Sequence, residues 1–259
     1  MNNQTAADAK LALAAFGNPE RAGHSSLFFK TGPGQYGEGD YFMGATVPQV
    51  RIVAKQFANL ELQEIGLLAH SGIHEERLLA AIILSQQFAK ASNYKNGKVD
   101  GRKTANNVAR QTLFEFWLKL AAEQRWNNWD LIDTSAPYFG LWLIDHPNEE
   151  LLKRLAHSES LWDRRISIMF TFAHIRAGIL EPTLRIARIL HGDKHDLIHK
   201  AVGWMLREMG KQNLDVLLNY LDEQAATMPR TMLRYAIEKL TPEQRAHYLG
   251  LAGKSKVRF

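Results

Sequence analysis

The chain contains no cysteine, which excludes disulfides, thiolate nucleophiles and cysteine metal sites. It also lacks an apolar run long enough to span a bilayer, and its first residues carry no basic-then-apolar signal pattern, so a cytoplasmic location is expected. The period-two alternation of β-branched residues that marks half-buried strands is scarce. No Ser-His-Asp set or nucleophile elbow is visible. The glycine-rich segment Thr31–Asp40 lacks the Lys-Ser/Thr ending of a phosphate-binding loop, and no strand–turn–helix unit surrounds it, so it reads as a structural turn that can touch a partner. Acidic and basic residues are both plentiful: 32 Lys+Arg stand against 27 Asp+Glu, a net charge of +5. Such a modest excess suits an anionic partner only where the cations cluster.

What is present is amphipathic helix. With 259 residues, 46% of them hydrophobic, the chain can bury a substantial core. Val47–Phe57 reads as a helix with Pro48 in its first turn, where the missing N–H does no harm. Leu78–Leu84 reads as a buried helical run. Brief polar breaks at Ser71-Gly72, His146-Pro147-Asn148, Gly192-Asp193, Met228-Pro229 and Thr241-Pro242 separate roughly a dozen helices. The polar, basic segment Asn93–Lys103 is expected to be an exposed loop, and the tail Gly253–Phe259 a short mobile end. From Asn106 onward, helix pairs recur at about the 40-residue spacing of HEAT and armadillo repeats. The expected fold is all-α, a single domain over 1–259 built as a curved solenoid of HEAT-like or armadillo-like repeats with a concave binding face. An irregular helical bundle is the alternative.

The densest chemistry lies in Trp126-Asn127-Asn128-Trp129-Asp130-Leu131-Ile132-Asp133. Trp129 and Asp133 are four residues apart and share a helix face. A ring face beside a carboxylate suits a cationic group. Asp130 and Asp133, three apart, raise acid–base or metal chemistry, but no histidine stands at ligand spacing. His191, His195 and His199 fall at zinc-like intervals, yet the helix break at Gly192-Asp193 interrupts them, so no metal is expected. Lys200, Trp204, Arg207 and Lys211 form one stripe, a surface for a phosphate backbone or else a solvated face. Arg164 and Arg165 follow Trp162 and can fork onto a phosphate or pair with a neighbouring acid such as Asp130 or Asp163. Arg230 and Arg234, at i and i+4, offer the same choice.

Four patches in fixed order resemble the bacterial HEAT-like-repeat DNA alkylation repair glycosylases, the AlkD type, from about Phe28 to about Leu240. They are Phe29–Gly34 with Tyr36–Asp40; Phe42-Met43-Gly44 with Val47-Pro48; Trp129–Asp133 with Ala136-Pro137; and Trp162–Arg165 with Lys200–Glu208. The resemblance implies a monomer that holds duplex DNA in a basic concave face, associated with the nucleoid, and needs no cofactor. It implies excision of N3- or N7-alkylated purines by hydrolysis of the N-glycosidic bond. It places the catalytic aspartate on Asp133, the two tryptophans at the deoxyribose on Trp129 and Trp204, and the site arginine on Arg165 or, with a register slip, Arg164. An aromatic near the start of the chain falls on Phe28 or Phe29, where a tyrosine is the family's usual residue. The 93–103 segment is longer than in compact members.

These residue types fit that chemistry. Alkylation at N3 or N7 makes the base a cationic leaving group, so no strong general acid is required. Positive charge then develops on the sugar, where a fixed carboxylate and tryptophan faces stabilise the transition state more than the ground state. Most glycosylases flip the base into a pocket; the family implied here grips the backbone instead. Two other readings remain at this stage: a non-catalytic binder of distorted DNA, and a helical-repeat scaffold for protein partners.

Overall fold

The computed structural model describes residues 4–95, 98–100 and 104–251; the basic tail 253–259 and part of the 93–103 segment lie outside them. Among the described residues the fold is all-helical apart from one minimal strand pair, and the chain divides into two compact units, one ending at Phe139 and one starting at Gly140. Among the described residues no helix is long and apolar enough to cross a membrane.

The first unit contains α1 (Ala6–Ala14), α2 (Pro19–Phe28), α3 (Val47–Gln56), α4 (Leu62–Ala69), α5 (His74–Ala91), α6 (Asn107–Ala122) and α7 (Trp129–Phe139). Its helix starts follow the local chemistry. Thr5 accepts the Asp8 amide and Asp8 reaches back to the Thr5 amide, a reciprocal cap on α1. Asn18 caps α2 ahead of Pro19. Gln49 Oε1 accepts the Thr46 amide at 2.8 Å at the start of α3, and Pro48 sits in the first turn as expected.

Helix α5 is the centre of this unit, packed by α3, α4, α6 and α7. Leu78 to Leu84 are all buried, so the helix is apolar on every side, the pattern of a helix enclosed by neighbours. Trp117, Trp126 and Phe139 complete the core: Trp117 stacks on Phe139 at 5.2 Å and on Trp126 at 5.8 Å. Both indole N–H groups are satisfied, Trp117 donating to Ser135 Oγ and Trp126 to the Trp117 carbonyl, each at 3.1 Å. Trp126 is therefore core, unlike Trp129 three residues later.

The segment 93–103 departs from the expected loop. Strands β1 (Tyr94–Lys95) and β2 (Lys98–Val99) pair antiparallel, with Tyr94 opposite Val99 and Lys95 opposite Lys98. The Tyr94 ring meets Tyr138 of α7 edge-on at 5.9 Å, so an aromatic contact ties the hairpin to the helix end.

The second unit contains α8 (Trp142–Asp145), α9 (Glu149–Ala156), α10 (Leu161–Arg176), α11 (Glu181–Ile189), α12 (Asp196–Gln212), α13 (Leu214–Gln224), α14 (Arg230–Ala236) and α15 (Pro242–Leu251). Helix α10 packs against α9, α11 and α12, and α12 packs in turn against α13 and α14. The helix pairs expected from the sequence are thus present, although those of this unit start at Glu149, Glu181 and Leu214, closer together than the roughly 40 residues of a typical HEAT repeat. Gly203 of α12 lets α14 approach closely: a Cβ there would lie 2.4 Å from the Met232 carbonyl oxygen.

Candidate functional site

Trp129 opens α7 and Asp133 follows one turn later; both are half-buried. The Trp129 indole stacks on Phe29 at 5.2 Å with the planes 15° apart, and Phe28 meets it edge-on at 6.0 Å. Phe29 stacks in turn on Phe42 at 5.0 Å. Both phenyl rings lie on the His74 imidazole, Phe42 at 4.6 Å and Phe29 at 4.9 Å. The result is an aromatic ladder from Trp129 to the first residue of α5. Of the two residues expected to supply an aromatic here, Phe29 is inside the ladder and half-buried, while Phe28 is 66% exposed at its rim.

A cluster of buried charge lies at the foot of this ladder, and the sequence reading missed it. Asp40, the last residue of the glycine-rich turn, is 6% exposed. Its carboxylate accepts from Arg77 Nη2 at 2.6 Å, His74 Nδ1 at 3.1 Å, Asn128 Nδ2 at 3.2 Å and Asn127 Nδ2 at 3.3 Å. His74 is 1% exposed and directs Nε2 at Asp130 Oδ2, 2.8 Å away. Burial works against a charged His74 ring, but the charge and hydrogen bond of Asp130, helped by the bond to Asp40, outweigh it; the pKa rises to about 9. The imidazolium is the form present at neutral pH, and both its N–H groups donate to carboxylates. Burial likewise opposes a charged Asp40, yet the His74 and Arg77 contacts hold its carboxyl below the usual range. Two cations and two anions therefore balance beneath Trp129.

The neighbouring residues fix the turn that carries Asp40. Glu75, 3% exposed, accepts the Gly44 amide at 2.8 Å and the Met43 amide at 3.0 Å. Gly44 has φ +83°, and a Cβ there would lie 2.1 Å from the Asn18 carbonyl oxygen, so only glycine fits. A visible signal existed for this cluster: His74-Glu75-Glu76-Arg77 heads an apolar helix, and all four are buried.

The remaining predicted residues belong to the second unit. Arg164 Nε pairs with Asp193 at 2.6 Å, and its Nη1 donates to the Ser158 and Glu159 carbonyls. The partner is thus Asp193; Asp130 is engaged by His74, and Asp163 accepts from Ser158 Oγ. Arg165 is 4% exposed and its Nη1 donates to the Leu197 carbonyl in the first turn of α12. Trp204, half-buried, donates its indole N–H to Glu208 at 3.1 Å and lies 5.8 Å from the Phe172 ring. The Arg176 guanidinium covers Phe172 at 4.1 Å.

The predicted cationic stripe is on α12, but acids accompany each cation. Lys200 pairs with Asp196 at 2.7 Å, Lys211 with Glu208 at 2.8 Å, and Arg207 with Glu208 and Glu238. Arg230 and Arg234 are exposed, and Arg230 donates to the Leu249 carbonyl. The three spaced histidines do not converge: His191 bonds Thr227, His195 accepts the Leu197 amide, and His199 bonds the Asp193 carbonyl. Among the described residues no group of three or more acids and histidines is arranged to hold a metal.

An all-helical protein of packed helix pairs, with aromatic and acidic residues presented on one of its helices, is the class defined by this fold and site. More particularly, the chain belongs to the DNA alkylation repair enzyme family, whose model matches residues 9–240. Among solved structures it is similar to a predicted DNA alkylation repair enzyme from Enterococcus faecalis. The two share 19% identity over 87% of this chain and 97% of that one, with a TM-score of 0.64, a likeness of fold. No curated protein matches.

Proposed function

We propose that the chain is a DNA glycosylase of the AlkD type, hydrolysing the N-glycosidic bond of N3- or N7-alkylated purines in duplex DNA. It acts as a cytoplasmic, nucleoid-associated monomer and starts base excision repair without a cofactor. The observation that carries the reading is the first turn of α7, in a chain of this family. There Trp129 is stacked on Phe29, and Asp133 follows on a helix braced by buried charge. Asp133 stabilises the cationic sugar as the base departs and positions the attacking water. Trp129 and Trp204 each offer a ring face to positive charge. Arg165 is the site arginine: its head is anchored on the first turn of α12, the helix that carries Trp204, whereas the Arg164 guanidinium is engaged by Asp193 and two carbonyls. Phe29, Lys200, Arg207, Lys211, Arg230 and Arg234 supply further contacts to the DNA, with Lys200, Arg207 and Lys211 exchanging their carboxylates for phosphates.

Base release from a duplex with a single N7-methylguanine, followed by one with N3-methyladenine, tests this. Wild type releases base. Asp133→Asn binds the duplex but loses about 10²–10³-fold in single-turnover rate, as expected when one preorganised charge partner is removed. Absence of release from both lesions by wild type refutes the reading. The acids beside every cation of the α12 stripe favour a second reading, a scaffold for a protein partner. Weak salt dependence of binding distinguishes it, since phosphate contacts give a steep one.

A further inference from the structure

We propose that His74 is a positioning residue for the candidate active site: bridged between Asp40 and Asp130, it sets the first turn of α7 and the orientation of the Trp129 ring. The inference rests on the glycosylase reading for its catalytic consequence, but its geometry stands apart from it.

His74 reaches α7 by two routes. The polar route is its Nε2–H to Asp130, adjacent in sequence to Trp129. The apolar route is the imidazole face, which carries Phe29, which carries Trp129. His74 itself begins α5, a helix enclosed by neighbours, so it offers a fixed reference for the more exposed α7. Its backbone is also tied to the residue that follows the glycine-rich turn, its amide donating to the Tyr41 carbonyl at 2.7 Å. The ring thus joins the turn, α5 and α7.

The charges facing the ring are few. Asp40 comes from the turn, Asp130 from α7, and Arg77 from one turn further along α5. Asn127 and Asn128, ahead of α7, are neutral partners of Asp40. Glu75 is committed to the Met43 and Gly44 amides, and Glu76 to Lys10 of α1. The residues stacked on the ring, Phe29 and Phe42, carry no charge. A neutral imidazole has a single N–H, so after deprotonation one of the two carboxylates faces a lone pair. The cluster then carries an uncompensated negative charge in a buried place, and α7, joined to the ring through Asp130, shifts to relieve it. The raised pKa of about 9 puts this loosening in the alkaline range.

The experiment pairs a spectroscopic and a kinetic readout. With 5-fluorotryptophan incorporated and the Trp129 line assigned by Trp129→Phe, the ¹⁹F resonance of Trp129 is followed from pH 6 to 10.5. In wild type it shifts with a midpoint near 9, in step with the His74 ring protons. In His74→Gln the shift is absent. On an N7-methylguanine duplex, His74→Gln retains affinity within about 3-fold but loses about 10-fold or more in single-turnover release; displacement of a catalytic group by about 1 Å can cost 10²-fold. The wild-type decline above pH 9 is missing in the variant. A Trp129 resonance that stays constant through the His74 titration overturns the proposal. So does a His74→Gln enzyme with wild-type rate and wild-type pH profile. If His74→Gln does not fold, Asp130→Asn serves: it keeps the ring and removes the principal group raising its pKa, so the Trp129 midpoint moves down. An unchanged midpoint there overturns the proposal. Because the ¹⁹F readout needs no turnover, a wild type without base release refutes the glycosylase reading while leaving the positioning role open to this test.

Discussion

Replacing Gly203 with alanine drives a methyl group into the contact between α12 and α14. The new Cβ lies 2.4 Å from the Met232 carbonyl oxygen and 2.5 Å from the Tyr235 Cβ, against about 3.4 Å for the start of ordinary contact. Helix α14 must therefore retreat by about 1 Å. A backbone oxygen and a Cβ have no rotamer by which to yield, so the overpacking cost is placed at the upper end of its usual range, about 3 kcal/mol. Alanine returns about 1 kcal/mol through helix propensity. The net loss is about 2 kcal/mol, or a fall of about 4–8 °C in Tm at the scaling of domains of 150–250 residues. Far-UV circular dichroism melting measures it. Gly250→Ala on α15 is the matched control: nothing lies within 4 Å of its Cβ, so only the propensity gain remains and Tm holds or rises. A Gly203→Ala protein that melts at or above wild type refutes the packing argument.

Two further outcomes concern the first unit. The His74 pKa is raised from 6.5 to about 9; such a group stabilises fully below its unfolded value and loses that contribution as pH rises through the folded one. The loss is about 3 kcal/mol between pH 6.5 and 9, visible as a falling urea midpoint, with a smaller fall over the same window in Asp130→Asn; equal slopes in the two proteins contradict it. Gly44→Ala combines a left-handed backbone with a 2.1 Å clash on the Asn18 carbonyl. It costs about 3 kcal/mol in urea unfolding, and an unperturbed midpoint rejects the claim that glycine is required.

Local patterns were legible in the sequence; the assembled cluster was not. The α3 start at Pro48, the buried run Leu78–Leu84 and the breaks before α5, α9, α14 and α15 all follow from residues within a turn or two of each other. So does the placement of Trp129 and Asp133 on one helix. The buried charges obey no such rule. Asp40 finds its partners at His74, Arg77, Asn127 and Asn128, up to 88 positions away, and no periodicity links them. The strand pair is hidden for a different reason: it falls in a polar stretch between helices that reads as plain loop. The acids that accompany the cationic stripe on α12 escape a periodicity read from one sign of charge. Asp196 and Glu208 sit four and three residues from Lys200 and Lys211, in the sequence all along, whereas Glu238 comes from beyond α14 and is seen only in the fold.

The partners of Asp40 also govern when the first unit can fold during synthesis. The chain emerges from its N-terminal end, so the glycine-rich turn and the head of α5 are made long before Asn128 and Asp130. Until those arrive, Asp40 and His74 lack groups on which their burial depends, and exposing the cluster to water is the cheaper state. Contacts of such long sequence separation form late and slowly. The nascent unit therefore waits, open at its aromatic ladder, for the segment that carries its candidate chemistry. A ribosome-bound chain halted before residue 127 stays sensitive to protease around Phe28 and Tyr41, and one extended well past Phe139 becomes resistant.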